Sequence, residues 1–195
     1  MTPQLSRRLV LAAPALLLAG RARAVTLNEA TLTQGGFVVG RAAPGTRLAL
    51  DGRAVRVSPA GDFAFGFGRD HAAQARLAIT APAGAAETRV LNIAKRQWPT
   101  ESISGLPPAQ VTPDAETLTR IAREREKLGA IRALESGLTG FAEGFVRPAP
   151  GRISGVFGSQ RILNGQPRQP HYGLDFAAPT GTPVVSCAAG RVTLA

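Results

Sequence analysis

The chain has 195 residues, 44% of them hydrophobic and 18% charged, which suffices for one ordinary domain or two small ones with a buried core. The formal net charge is +10, with arginine ahead of lysine, so the surface attracts polyanions in general and the charge alone selects none of them. A single cysteine, Cys187, excludes an internal disulfide and a cysteine-built metal cluster.

The first 24 residues read as an export signal. Arg7 and Arg8 precede an apolar stretch over 9–19, and Ala22-Arg23-Ala24 puts small residues where a signal peptidase reads. The stretch is too short for a permanent anchor. Arg7-Arg8 before Leu9 also fits a twin-arginine signal, so export to the periplasm or cell envelope is expected by that route or by the general secretory one. Cleavage after Ala24 would start the mature chain at Val25, with no stable membrane span after it. Export also argues against a nucleic-acid partner.

Residues 25–97 alternate with period 2 between turn signals. Leu48 and Leu50, Val55 and Val57, Leu77 and Ile79, and 90–93 mark strands, and Asp51-Gly52 is a two-residue hairpin signal. Phe63, Phe65 and Phe67 fall on one face of a strand and are expected in a core. The spacing predicts a small β-sandwich. His71 has no second ligand-type residue at metal spacing and is expected at the surface.

Residues 98–148 form a connector. Trp98-Pro99 and Leu106-Pro107-Pro108 predict an extended stretch. Thr112-Pro113-Asp114 is a helix start, with Thr112 able to cap and Asp114 suited to the positive end. Leu118, Ile121, Leu128, Ile131, Leu134 and Leu138 recur at helical spacing, and Glu116 and Arg120 stand four apart. One amphipathic helix is expected, ending near Ser136-Gly137 and packed on its own protein; the alternative is an arm that sets a distance or pairs with a partner.

Residues 149–195 carry the candidate chemistry. A Gly-rich strand over 151–158 leads to a polar loop, then to His171 and Asp175, then to Ala178-Pro179-Thr180-Gly181-Thr182-Pro183-Val184, and strands are expected after that turn and over 190–194. Cys187, in the apolar run 184–188, is expected to be buried. In a straight strand His171 and Asp175 would lie about 13 Å apart, too far to share an ion. Gly173 and Pro179 argue against a helix. A shared metal therefore requires a bend, and Gly173 is where the chain can bend.

The order Phe157-Gly158, His171-x-x-x-Asp175 with Gly173 between, Ala178 to Val184, and Gly190-Arg191-Val192 resembles the LytM- and lysostaphin-type zinc endopeptidases over about 45 residues. The preceding sandwich and helix look more loosely like the parts before this domain in some relatives. The resemblance implies a mainly β fold: the sandwich, one connector helix, and the first strands of an all-β peptidase domain. It implies Zn2+ held by His171 and Asp175, and hydrolysis of peptide bonds in cell-wall peptidoglycan. In that family a third ligand and the catalytic histidines lie in and near a later His-x-His motif. Since His71 and His171 are the only histidines here, that motif is expected beyond Ala195, no catalytic residue is assigned within the chain, and the chain as given is expected to be inactive. The alternatives are a non-catalytic cell-wall binding protein or amidase activator of the same fold and, more remotely, a carrier or phosphotransfer module.

Overall fold

The structure is a computed structural model and describes residues 25–194. The export signal expected over 1–24 lies outside the described residues.

Seven strands follow one another at the N-terminal end: β1 (Val25–Leu27), β2 (Phe37–Ala42), β3 (Arg47–Leu50), β4 (Arg53–Val55), β5 (Asp62–Gly66), β6 (Gln74–Thr80) and β7 (Ala86–Asn92). They form a three-stranded sheet in the order β1-β2-β5 and a four-stranded sheet in the order β4-β3-β6-β7, every pairing antiparallel. Asp51 and Gly52 make the β3–β4 turn with φ of 47° and 81°, the two positive angles that a tight hairpin matching the strand twist requires.

Alternation along each strand sends one set of side chains between the sheets. Phe63, Phe65 and Phe67 all point inward, as expected, and pack with Val25, Val38, Leu48, Leu77, Ile79, Leu91 and Ile93. Phe63 and Leu77 are completely buried. The mainly β fold with an N-terminal β-sandwich is thus the observed one.

The connector holds more than an extended stretch and one helix. Its extended stretch contains β8 (Thr100–Ile103), which pairs in parallel with β10 (Gln160–Leu163). A short helix α1 (Pro108–Val111) follows, and the main helix α2 (Ala115–Arg132) starts two residues later than the Thr112 cap predicts. Asp114 is its cap: the carboxylate accepts from Thr117 N–H at 2.8 Å, while Thr112 closes α1. The helix ends at Arg132, short of Ser136-Gly137, and Arg120 pairs forward with Glu124 at 3.8 Å rather than back to Glu116. Both partners are largely exposed, so that pair contributes little. No residue of α2 is fully buried: Leu118 is 53% exposed, while Ile121, Leu128 and Ile131 are half-buried, so the apolar stripe is covered only in part. Among the described residues no helix is long and apolar enough to cross a membrane.

In the last segment β9 (Arg152–Gly155) pairs antiparallel with β12 (Asp175–Ala177), and β10 turns into β11 (Gln166–Pro167). The loop expected between 159 and 170 is therefore a hairpin. Asn164 and Gly165 form its turn, with φ of 47° and 78°. The strands expected after 183 and over 190–194 are not formed. Their backbone finds two isolated bonds, Val185 N–H to Pro148 O at 3.0 Å and Val146 N–H to Cys187 O at 2.8 Å, and no continuous ladder. Cys187 is exposed, contrary to the expectation of burial, because no layer covers this stretch among the described residues.

Truncating Phe63 to Ala should lower the unfolding free energy by about 3–5 kcal/mol, read from a urea melt, since the ring is fully enclosed between two sheets. A loss below about 1 kcal/mol would contradict a core at this position.

Candidate metal centre

His171 is held by its backbone. Its N–H donates to Ser159 O at 2.9 Å and its carbonyl oxygen accepts from Gly158 N–H at 2.7 Å. Four residues later Asp175 opens β12 opposite Gly155 of β9, with a register shift between Asp175 and Phe176. Between the two the chain bends at Gly173, where the sequence places the bend. The glycine serves by its small size: its φ is not positive, but an added Cβ would lie 3.3 Å from His171 Nε2.

The bend brings His171 Nε2 to 3.2 Å from Asp175 Oδ2. Two donors bonded to tetrahedral zinc at about 2.0 Å stand about 3.3 Å apart, so the pair already has the separation of one edge of such a site. Gly155 forms the floor. A Cβ there would lie 2.8 Å from Asp175 Oδ2 and 2.8 Å from His171 Nδ1, so only glycine fits beneath the pair. The His171 side chain is 11% exposed and that of Asp175 50%, which leaves the carboxylate side open to an arriving ion.

The residues fit zinc in part. The donor types and their separation are right. His171 Nδ1, however, is buried with no hydrogen-bond partner among the described residues, whereas a metal-bound imidazole is usually fixed through its other nitrogen. No group of three potential ligands occurs among the described residues. His71 stays apart from this pair: its Nε2 faces Asp51 Oδ2 at 3.3 Å and its ring packs on the edge of Phe67 with centroids 4.9 Å apart, so it is half-buried rather than freely exposed.

Two neighbours escaped the sequence reading. Arg161 Nη2 donates to Asp175 Oδ2 at 3.2 Å, and Arg161 Nε stands 3.7 Å from Glu101 Oε2. Glu101 and Arg161 are direct partners in the β8–β10 ladder. The Asn164-Gly165 turn could have flagged β10, but nothing local pairs 101 with 161.

Hydrogen bonding from the Ser159 side chain holds the Glu101 carboxyl below its ordinary 4.5. The Val156 N–H and the charges of Arg161 and His171 act the same way, and burial opposes them. The Ser159 hydroxyl also faces Val156 O at 2.9 Å, and its one proton serves one acceptor at a time; the other causes do not depend on it.

An apolar cleft of about 280 Å³ lies elsewhere, on the outer face of β2 and β5, lined by Phe37, Ala64, Leu138 and Phe141. Its one carboxylate, Asp62, is paired with Arg41 at 3.6 Å, so the cleft offers no comparable donor set.

A lowered folded-state pKa means that Glu101 stabilises the fold above its unfolded pKa, and that this contribution is lost as pH falls through the folded value. Glu101→Gln should therefore flatten the fall in urea midpoint between neutral pH and about pH 3, and an unchanged slope would show that Glu101 is not so held. Gly155→Ala should push the His171 ring away from Asp175 and cost about 1–3 kcal/mol by overpacking. Unchanged His171 ring-proton NMR shifts in that variant would rule out the close floor. Searches of known proteins do not identify the chain: no protein-family model matches it, and no curated protein does.

Proposed function

We propose that this chain contributes His171 and Asp175, two zinc ligands, to a zinc-dependent endopeptidase that hydrolyses peptide bonds in bacterial cell-wall peptidoglycan, and that these 195 residues by themselves are inactive. The observation that carries this reading is the 3.2 Å approach of His171 Nε2 to Asp175 Oδ2 around the Gly173 bend, within the segment whose motif order resembles the LytM- and lysostaphin-type enzymes.

Zinc, when bound, supplies a Lewis acid for the peptide carbonyl and acidifies a water. His171 contributes a neutral imidazole nitrogen and Asp175 a carboxylate oxygen. Gly155 keeps the floor clear. The half-exposed Asp175 leaves room for an extended peptide to approach from solvent. The expected export would deliver the protein to the wall, and the net charge of +6 that remains without the four arginines of 1–24 would hold it near an anionic polymer.

The 195 residues contain two histidines and no His-x-His motif, so two protein donors hold the metal here and the transition-state histidines of the family have no counterpart. The 195-residue chain should therefore bind zinc weakly and leave peptidoglycan uncut. Protein isolated from its source cells should contain zinc and release muropeptides in a chelator-sensitive way, and His171→Ala should lower zinc content at least about tenfold. Zinc content untouched by His171→Ala and Asp175→Ala, or cleavage indifferent to chelation, would refute the proposal. Wall binding without zinc or cleavage would point to the non-catalytic relative instead.

A further inference from the structure

The oxygen that a metal would take on Asp175 is already engaged by a cation. Asp175 Oδ2 lies 3.2 Å from His171 Nε2 and 3.2 Å from Arg161 Nη2. Arg161 also faces a second carboxylate. Its Nε is 3.7 Å from Glu101 Oε2, beyond hydrogen-bond length, and that N–H is buried with no hydrogen-bond partner among the described residues. A buried donor on a charged group is costly to leave unpaired. The guanidinium thus makes one contact, to Asp175, and stands short of another, to Glu101.

The placement is built into the sheet. Glu101 and Arg161 are register partners on adjacent parallel strands, so their side chains project from the same face. The arginine side chain is 34% exposed and the Glu101 side chain 24%, so their surroundings screen charge less than bulk water does.

We infer that Arg161 is a placeholder cation for the metal. Without zinc, its guanidinium neutralises Asp175 and keeps the carboxylate turned toward His171. As zinc takes Oδ2, Arg161 yields that oxygen and closes on Glu101, which satisfies its unpaired Nε–H. No bond is made or broken covalently. Arg161 and Glu101 are positioning residues that set metal affinity. The inference rests on the zinc reading of His171 and Asp175.

The test is calorimetric titration of the whole 195-residue chain with Zn2+ alone, for the wild type and for Arg161→Gln, Arg161→Lys, Glu101→Gln and His171→Ala. Arg161→Gln removes a unit positive charge 3.2 Å from Asp175 Oδ2 and should tighten binding about tenfold. Arg161→Lys restores the charge and should return affinity to within about threefold of wild type. Glu101→Gln, which leaves Arg161 no anionic acceptor besides Asp175, should weaken binding.

A tether whose role is purely structural would give the opposite result for Arg161→Gln, with weaker binding and a lower melting temperature. Unchanged or weaker binding in a folded Arg161→Gln overturns the placeholder. If Arg161→Gln fails to fold, unchanged binding in Glu101→Gln overturns it. Zinc binding that needs His171 but ignores Arg161 and Glu101 sinks this inference and leaves the zinc reading standing. No His171-dependent binding in any variant removes both.

Discussion

Gly158 has no room for a side chain. An added Cβ would fall 2.1 Å from the Trp98 ring, and the residue sits at φ +89°, where side chains are strained in any case. Around this contact the sandwich and the last segment are joined. Arg69, from the loop after β5, donates to Gly158 O at 2.7 Å, and Gly158 N–H donates to His171 O at 2.7 Å. Arg96 stacks over Trp98 at 4.5 Å, and Trp98, Phe157 and Tyr172 follow one another at centroid spacings of 6.0 and 5.9 Å. The position of His171 is therefore referred through one glycine and one indole to Gly35 and Arg69 in the loops of the sandwich, and a bulkier residue at 158 would move both.

The parts of the chain differ in what satisfies them. The sandwich closes on itself: two sheets, one enclosed set of aromatic and aliphatic side chains, and turns with the dihedral angles their residues favour. Helix α2 has a capped start and an apolar stripe but no enclosing layer. The stretch after Pro183 is less supported still, with Val184 at 74% and Val192 at 80% exposure. A strand gains stability from its neighbours' hydrogen bonds and packing rather than from its own residues. Where the neighbours are missing among the described residues, a Gly-x-Val run remains an irregular chain.

The candidate centre lies between these extremes. His171 is anchored by two backbone bonds and lies over the Gly155 floor, whereas Asp175 is half-exposed and shared with Arg161. This combination suits a ligand pair that must be organised before a metal arrives and still be reachable by it. It also explains why β8 is more than a spacer, since it carries Glu101 to the guanidinium that touches Asp175.

Much of this was legible in the residues alone, wherever the information is local. The period-2 alternation around Phe63, Phe65 and Phe67 identifies a buried strand face, Asp51-Gly52 a hairpin, and Gly173 the one place where His171 and Asp175 could be brought together. Local signals also misled: Thr112 looked like a cap that Asp114 provides, and the hydrophobic surroundings of Cys187 suggested burial that no covering layer supplies. The union of Glu101 with Arg161, the role of Trp98 over Gly158, and the partial exposure of the helix stripe depend on residues some 60 positions apart or on layers that must be present to bury them. Propensity and spacing describe what a segment can do by itself, and only tertiary packing decides which distant segment meets it.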